Sequence, residues 1–206
     1  MYKQVYMIKN LIFDFGGVLV DYNSHRIFDR YFGDESKAEW FRNNIILNDL
    51  VKHLDIGEDF GKCIKRAQEA NPEYAEALSI YDTCYHEMDG GEIPGMYDLL
   101  SDLSAYGYEI YGLTNWSYKV YEVVRKHPIF SLLKGYVISS EVHMLKPDPK
   151  IYIHLTKKFA INPEECLFID DKMANVKGAE EIGMTGVRFV SSQQLSEDLR
   201  SLSIKI

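Results

Sequence analysis

Cysteine is scarce in this chain: Cys63, Cys84 and Cys166 are three in 206 residues, far apart and without a CxxC pair. Neither a disulfide framework nor a thiolate zinc cluster is indicated, and the three read as packing residues in a reducing, cytoplasmic setting. A basic tract is also missing. The 23 Lys and Arg are outnumbered by 31 Asp and Glu, for a net charge of −8. The electrostatic footprint of a phosphate-backbone binder is thus absent, and nucleic acid is not an expected partner. No run reaches about 18 apolar residues, and Lys9 and Asp14 interrupt the apolar N-terminal stretch, so neither a membrane span nor a signal peptide is expected. His25, His53, His86, His127, His143 and His154 show no ligand spacing such as HExxH, which argues against zinc. There is no internal repeat and no low-complexity tract.

What is present is an ordinary globular composition, 46% apolar and 26% charged, enough to bury a full core. Segments 10–15, 109–113, 135–138, 166–169 and 186–190 are short apolar runs ended by turns or polar residues, and read as buried strands. Helical patterns at 118–126, 149–159 and 175–182 alternate with them. Such alternation predicts an α/β fold, a doubly wound parallel sheet. Between the first two strands the pattern changes. From Ser24 to about Met88 apolar residues recur at three- and four-residue spacing, as in Phe41 and Ile45 and again in Phe60, Ile64 and Ala67, and strand character is nearly absent. An inserted all-helical unit is expected at 21–91, with the core formed by 1–20 and 92–206; Gly90, Gly91, Pro94 and Gly95 mark the return.

In open α/β sheets ligands bind beyond the carboxyl ends of the strands, so the residues following each strand are the candidate site. The first strand leads into Asp14-Phe15-Gly16-Gly17 and the second into Thr114-Asn115-Trp116-Ser117. The third leads to Lys146-Pro147-Asp148, and the fourth to Asp170-Asp171-Lys172, with Asn175 a helical turn later. Asp14 and Asp171 end neighbouring strands if the fourth lies beside the first. Two carboxylates about 4 Å apart repel by roughly 4 kcal/mol at an effective dielectric near 20, so a cation is needed. Mg²⁺, which takes one or two carboxylates plus substrate oxygens, suits the set. Asp14 would then be an ionised nucleophile, while Thr114, Asn115, Lys146 and the amides around Gly17 hold an anionic group.

The motifs FDFGGVLVD, LTNWS, KPDPKIY and FIDDKMANVKGAEEIG, in this order on strand ends, closely resemble the haloacid dehalogenase superfamily. The resemblance implies a Rossmann-like core with a helical cap, with Asp14 as nucleophile and Thr114 and Lys146 binding the transferring group. It also implies metal ligands in Asp14, the Gly16 carbonyl and Asp171; Asp170 and Asn175 fall in the same acidic motif. The expected reaction is Mg²⁺-dependent hydrolysis of a small phosphorylated substrate, possible sugar phosphates included, through an aspartyl-phosphate. Gly16 departs from the common phosphatase pattern, which has there a second Asp acting as general acid and base. Some sugar-1-phosphate phosphatases of the superfamily look similar at this loop. A 2-haloacid dehalogenase also lacks that Asp but needs no metal, and a non-catalytic binding protein with this fold is a third reading.

Blander roles stand beside these. Asp170 could cap the following helix, and Ser117 is expected to cap the helix from Tyr118. Trp116 could wall the pocket or pack on the sheet. His25 begins the insertion and could face the pocket. The tyrosines at 74, 81, 85 and 97 read mainly as core or interface residues, and the oligomeric state is left open.

Overall fold

A computed structural model of the chain describes residues 7–206. The first six residues of the N-terminal stretch read above as non-signal lie outside the described residues. The strands are β1 (Asn10–Phe13), β2 (Val20–Tyr22), β3 (Asp89–Glu92), β4 (Glu109–Thr114), β5 (Gly135–Ile138), β6 (Cys166–Asp170) and β7 (Thr185–Arg188). Five of them form a parallel sheet in the order β5-β4-β1-β6-β7. This is the α/β architecture expected from the alternation of strands and helices.

Alternation along β1 shows why its run is apolar throughout. Leu11 and Phe13 enter the core on one face of the sheet, with Leu100, Val120 and Leu195, while Ile12 enters the core on the other, with Tyr152, Leu155 and Phe168. Helices Met96–Ala105, Val120–Lys126 and Ser192–Ser201 supply the first face. Pro149–Phe159 and Met173–Glu180 supply the second. Register then fixes the site, because Phe13 pairs with Gly112 on one side and Ile169 on the other. Asp14, one residue on, still donates its N–H to the Ile169 carbonyl at 2.9 Å. The first motif is thereby held between the ends of β4 and β6.

The segment between β2 and β3 is helical, with His25–Phe32, Glu35–Phe41, Val51–Asp55, Phe60–Ala70 and Ala75–Thr83 around a core of its own. Phe28 and Phe60 both stack on Tyr81, with centroids 6.1 Å apart in each pair. Arg42–Leu50 runs as a wide π-helical stretch, a form frequent at functional sites. The segment leaves and rejoins the sheet through the antiparallel pair β2–β3. Sequence periodicity does not reveal this stalk, since β3 is Asp-Gly-Gly-Glu, a composition poor in strand formers, and its partner lies far away in the chain.

Other expectations shift by a few residues. The last strand is Thr185–Arg188 rather than 186–190, and the helix expected from Tyr118 begins at Val120. Ser117 does not cap that helix through its side chain; its hydroxyl instead faces the Tyr85 hydroxyl at 3.4 Å. Among the described residues no helix is long and apolar enough to cross a membrane.

Candidate active site

The carboxyl ends of β1, β4 and β6 open onto a cleft of about 400 Å³, roofed by the helical segment. Asp14, Gly16, Gly17, Thr114, Asn115, Lys146 and Asp171 all line it, so the fold gathers the whole set expected from the motifs. At its floor the Lys146 ammonium, its side chain wholly buried, lies 2.9 Å from Asp14 Oδ1 and 2.7 Å from Asp170 Oδ2. It also donates to the Leu113 carbonyl at 2.8 Å.

Two residues act on this arrangement indirectly. Asn115 donates to the Lys146 carbonyl at 2.9 Å and accepts from the Lys146 N–H at 2.8 Å, so both ends of its amide hold the lysine in place. Its side chain is thereby committed to the lysine. Asp170 is fully buried and accepts from Lys146, from Asn175 Nδ2 at 3.0 Å and from the Lys172 N–H at 2.8 Å. It anchors the lysine and the start of the following helix together. His25 is half-exposed, pairs with Asp29 and does not line the cleft.

Asp171 differs from its neighbour, because its Oδ1 is buried with no hydrogen-bond partner. A buried carboxylate oxygen without a partner costs free energy unless a cation meets it. Asp14, Asp170 and Asp171 each place a carboxylate oxygen within 4.8 Å of the others. Gly17, at φ +78°, brings the loop so near that a Cβ there would lie 3.2 Å from Asp171 Oδ2. A small, hard, oxygen-seeking cation such as Mg²⁺ fits this donor set.

Electrostatics follow from burial. Desolvation lifts the Asp14 carboxyl to about 6, against the pull of Lys146 and with Asp170 adding to the rise. Burial likewise raises Asp171, opposed by Lys172. Burial also presses on Asp170, but Lys146 outweighs it and holds that carboxyl below its ordinary range. Lys146 itself stays above the usual ammonium range, since Asp14 and Asp170 more than offset its desolvation.

A residue not singled out by any motif also faces the cleft. Asp55 comes from the helical segment, and burial lifts it to about 7, with Lys172 opposing and Asp14 adding. In sequence it is an ordinary acidic residue before a Gly turn. Nothing but the tertiary approach sets it apart.

A stability signature is expected from these carboxyls. Between about pH 4 and 7 the folded chain keeps protons on Asp14 and Asp55 that the unfolded chain, with carboxyls at their ordinary 3.8, has released. Stability therefore falls as pH rises through that window in metal-free protein. Mg²⁺ at a hundred times its Kd should restore about 2.7 kcal/mol at neutral pH. Thermal melts across pH with and without Mg²⁺ check this; a metal-free midpoint that climbs from pH 4 to 7 contradicts it.

A buried carboxylate, a buried lysine and an acidic loop thus meet at the carboxyl edge of a parallel sheet, where open α/β folds bind their ligands. Residues 8–183 match the family model of haloacid dehalogenase-like hydrolases, and the chain belongs to that family. It is 30% identical to the sesquiterpene phosphatase astK of Aspergillus oryzae over 94% of this chain and 96% of that one. It is 34% identical to flavin mononucleotide hydrolase 1 of Arabidopsis thaliana over 55% of this chain, a match spanning 46% of that relative. A haloacid dehalogenase family enzyme of Bacteroides thetaiotaomicron, solved with magnesium and inorganic phosphate, shares the fold at TM-score 0.67 and 23% identity. That alignment covers 89% of this chain and 95% of the other.

Proposed function

We propose that the chain is a Mg²⁺-dependent phosphomonoesterase acting on a small phosphorylated metabolite through an aspartyl-phosphate on Asp14. The observation that carries this reading is the unpartnered, buried Asp171 oxygen beside the Asp14 carboxylate. A dehalogenase needs no metal and gains nothing from such a doubled acidic loop next to a substrate carboxylate. The relatives named as phosphatase and flavin mononucleotide hydrolase support the same choice.

In this reading Asp14, the Gly16 carbonyl and Asp171 hold Mg²⁺. When bound, the ion neutralises the crowded carboxylates and the oxygens of the phosphoryl group. Lys146 orients Asp14 through the 2.9 Å contact and adds fixed positive charge where phosphoryl charge accumulates. Thr114 and the backbone around Gly17 position the phosphoryl oxygens. Asp14 attacks phosphorus in line as the bond from phosphorus to the leaving oxygen breaks, and water then releases phosphate from the aspartyl acyl phosphate. Residues 21–91 form a cap over the core of 1–20 and 92–206, closing the cleft against bulk water and selecting the leaving group. The free cysteines fit a cytoplasmic setting.

Purified protein assayed with Mg²⁺ or EDTA on sugar phosphates, nucleotides, an aryl phosphate and chloroacids tests the proposal. Phosphate release that stops in EDTA is expected. Chloride release that persists in EDTA would overturn it in favour of a dehalogenase.

A further inference from the structure

Two residues after Asp14 stands Gly16, so no side chain at that position can carry a proton to or from a leaving group. Nor is the space vacant: a Cβ at Gly16 would lie 3.3 Å from Trp116 Cζ3, on a ring that is itself 6% exposed and forms the cleft wall. A proton donor has to come from another element around the cleft.

Five acidic or phenolic groups from the stalk and the helical segment line the cleft, and four are unsuited. Tyr81 is stacked against Phe28 and Phe60, and burial holds its phenol protonated. Asp21 pairs with Arg26 at 2.5 Å. Tyr22 donates its hydroxyl proton to the Tyr85 carbonyl at 2.7 Å. The Tyr85 hydroxyl accepts from Trp116 Nε1 at 2.8 Å and faces Ser117, and burial holds it at its protonated end. Asp55 is the fifth. Its carboxylate lines the cleft and makes no hydrogen bond or ion pair among the described residues.

Its backbone, by contrast, is fastened to the core. The Asp55 carbonyl accepts from Ser139 Oγ at 2.6 Å, and the same hydroxyl accepts from the Trp116 N–H at 2.9 Å. The next carbonyl, of Ile56, lies 2.7 Å from His143 Nδ1. Gly57 follows at φ +96°, where a Cβ would overlap the Ser140 carbonyl and sit 2.9 Å from His143 Nδ1. Three successive residues of the helical segment are therefore seated on the chain just after β5. A carboxylate with no partner, on a turn anchored this firmly over a reaction centre, is preorganised for a ligand rather than for the fold.

We propose that Asp55 is the general acid that protonates the leaving oxygen and then the general base toward water, in place of the carboxylate missing at Gly16. This rests on the phosphomonoesterase reading above. In the first step an Asp14 oxygen bonds to phosphorus as the bond from phosphorus to the leaving oxygen breaks. The electron pair stays on that oxygen, which takes the Asp55 proton and departs as an alcohol. In the second step water attacks phosphorus, its proton passes to the Asp55 carboxylate, and the bond to Asp14 breaks to release phosphate. Asp55 ends each cycle protonated again. The groups facing it suit such cycling: burial and Asp14 favour its neutral form, Lys172 and Lys146 its ionised form, and Tyr81 and Tyr85 complete its surroundings.

The test compares kcat/KM for alkyl and nitrophenyl phosphates in the Mg²⁺-loaded protein and in Asp55→Asn. Assistance to an alkoxide matters most, so the alkyl substrate should lose about 10²–10⁴-fold and the nitrophenyl substrate at least about ten-fold less. Equal losses on both would overturn the assignment and leave Asp55 a structural residue. The unmodified protein gives an answer that needs no variant: with protonation at work, kcat/KM depends only weakly on leaving-group basicity, and a steep dependence would overturn the proposal. Asp14→Asn, run in parallel, separates the two readings. If it still turns over nitrophenyl phosphate the aspartyl-phosphate reading falls, whereas its inactivity together with equal Asp55→Asn losses sinks Asp55 alone.

Discussion

Asp14→Asn should lower phosphate release by on the order of 10⁴-fold or more, the scale seen when a covalent nucleophile is removed. The substitution is nearly isosteric. An amide oxygen can still accept the Phe15 N–H, now at 2.7 Å, and the Lys146 ammonium, now at 2.9 Å, so the loop has no reason to move. What disappears is the lone pair of an anionic oxygen able to form an acyl phosphate. Stability should not fall with activity. Desolvation already lifts the Asp14 carboxyl to about 6, so at pH 8 the metal-free fold carries an ionised group in an unfavourable place. The variant's metal-free melting midpoint at pH 8 should equal or exceed that of the parent, the signature of a site kept for chemistry at the expense of stability. Phosphate release above about one per cent of the parent rate would remove Asp14 from the role of nucleophile.

Lys146→Met should damage both activity and fold. The side chain lost is wholly buried between Asp14 and Asp170, and a thioether of similar length supplies no donor to either. Removing one member of a buried ionic cluster costs about 3–5 kcal/mol, because the opposite charges left behind are neither solvated nor paired. Charge stabilisation of the transferring phosphoryl group goes with it, a loss of about 10²–10³ in kcat. The direction with pH is also fixed. Lys146 favours the ionised forms of Asp14 and Asp170, so without it both bind protons more readily in the folded state. The deficit should be larger at pH 8 than at pH 5, since acid neutralises the orphaned carboxylates. Urea unfolding at the two pH values reads this directly. A deficit below about 1 kcal/mol at pH 8 would mean that the cluster is not held by the lysine.

Much of the site can be read from the chain because its residues sit at the ends of short apolar runs. Strand character in β1, β4, β5 and β6 is carried by local composition, and in a parallel sheet their carboxyl ends share one edge. Asp14, Thr114, Lys146 and Asp171 are therefore placed together by their order along the chain. Division of labour between adjacent acids is a different matter. Asp170 and Asp171 are neighbours with the same chemistry, yet one is a fully buried anchor for Lys146 and Asn175 while the other keeps an unpartnered oxygen. Opposite side-chain directions at the end of β6 decide that, and which direction meets the lysine depends on the neighbouring strands. Asn115 and Ser117 illustrate the same point. Each looks like a ligand-loop or capping residue in isolation, and each finds its partner, Lys146 or Tyr85, about thirty positions away.

Alone, then, the sequence determined the α/β sheet, the inserted helical stretch, the ordered motifs and the absence of a side chain at Gly16. Hydrophobic periodicity and strand-end residue types are local properties, which is why these were readable. Only the tertiary structure decided that β2 and β3 form the stalk, that Trp116 fills the space beside Gly16, and that the turn 55–57 brings Asp55 into the cleft lined by Asp14. Those features arise from contacts between segments with no pattern in common along the chain, and such contacts exist only once both segments are folded.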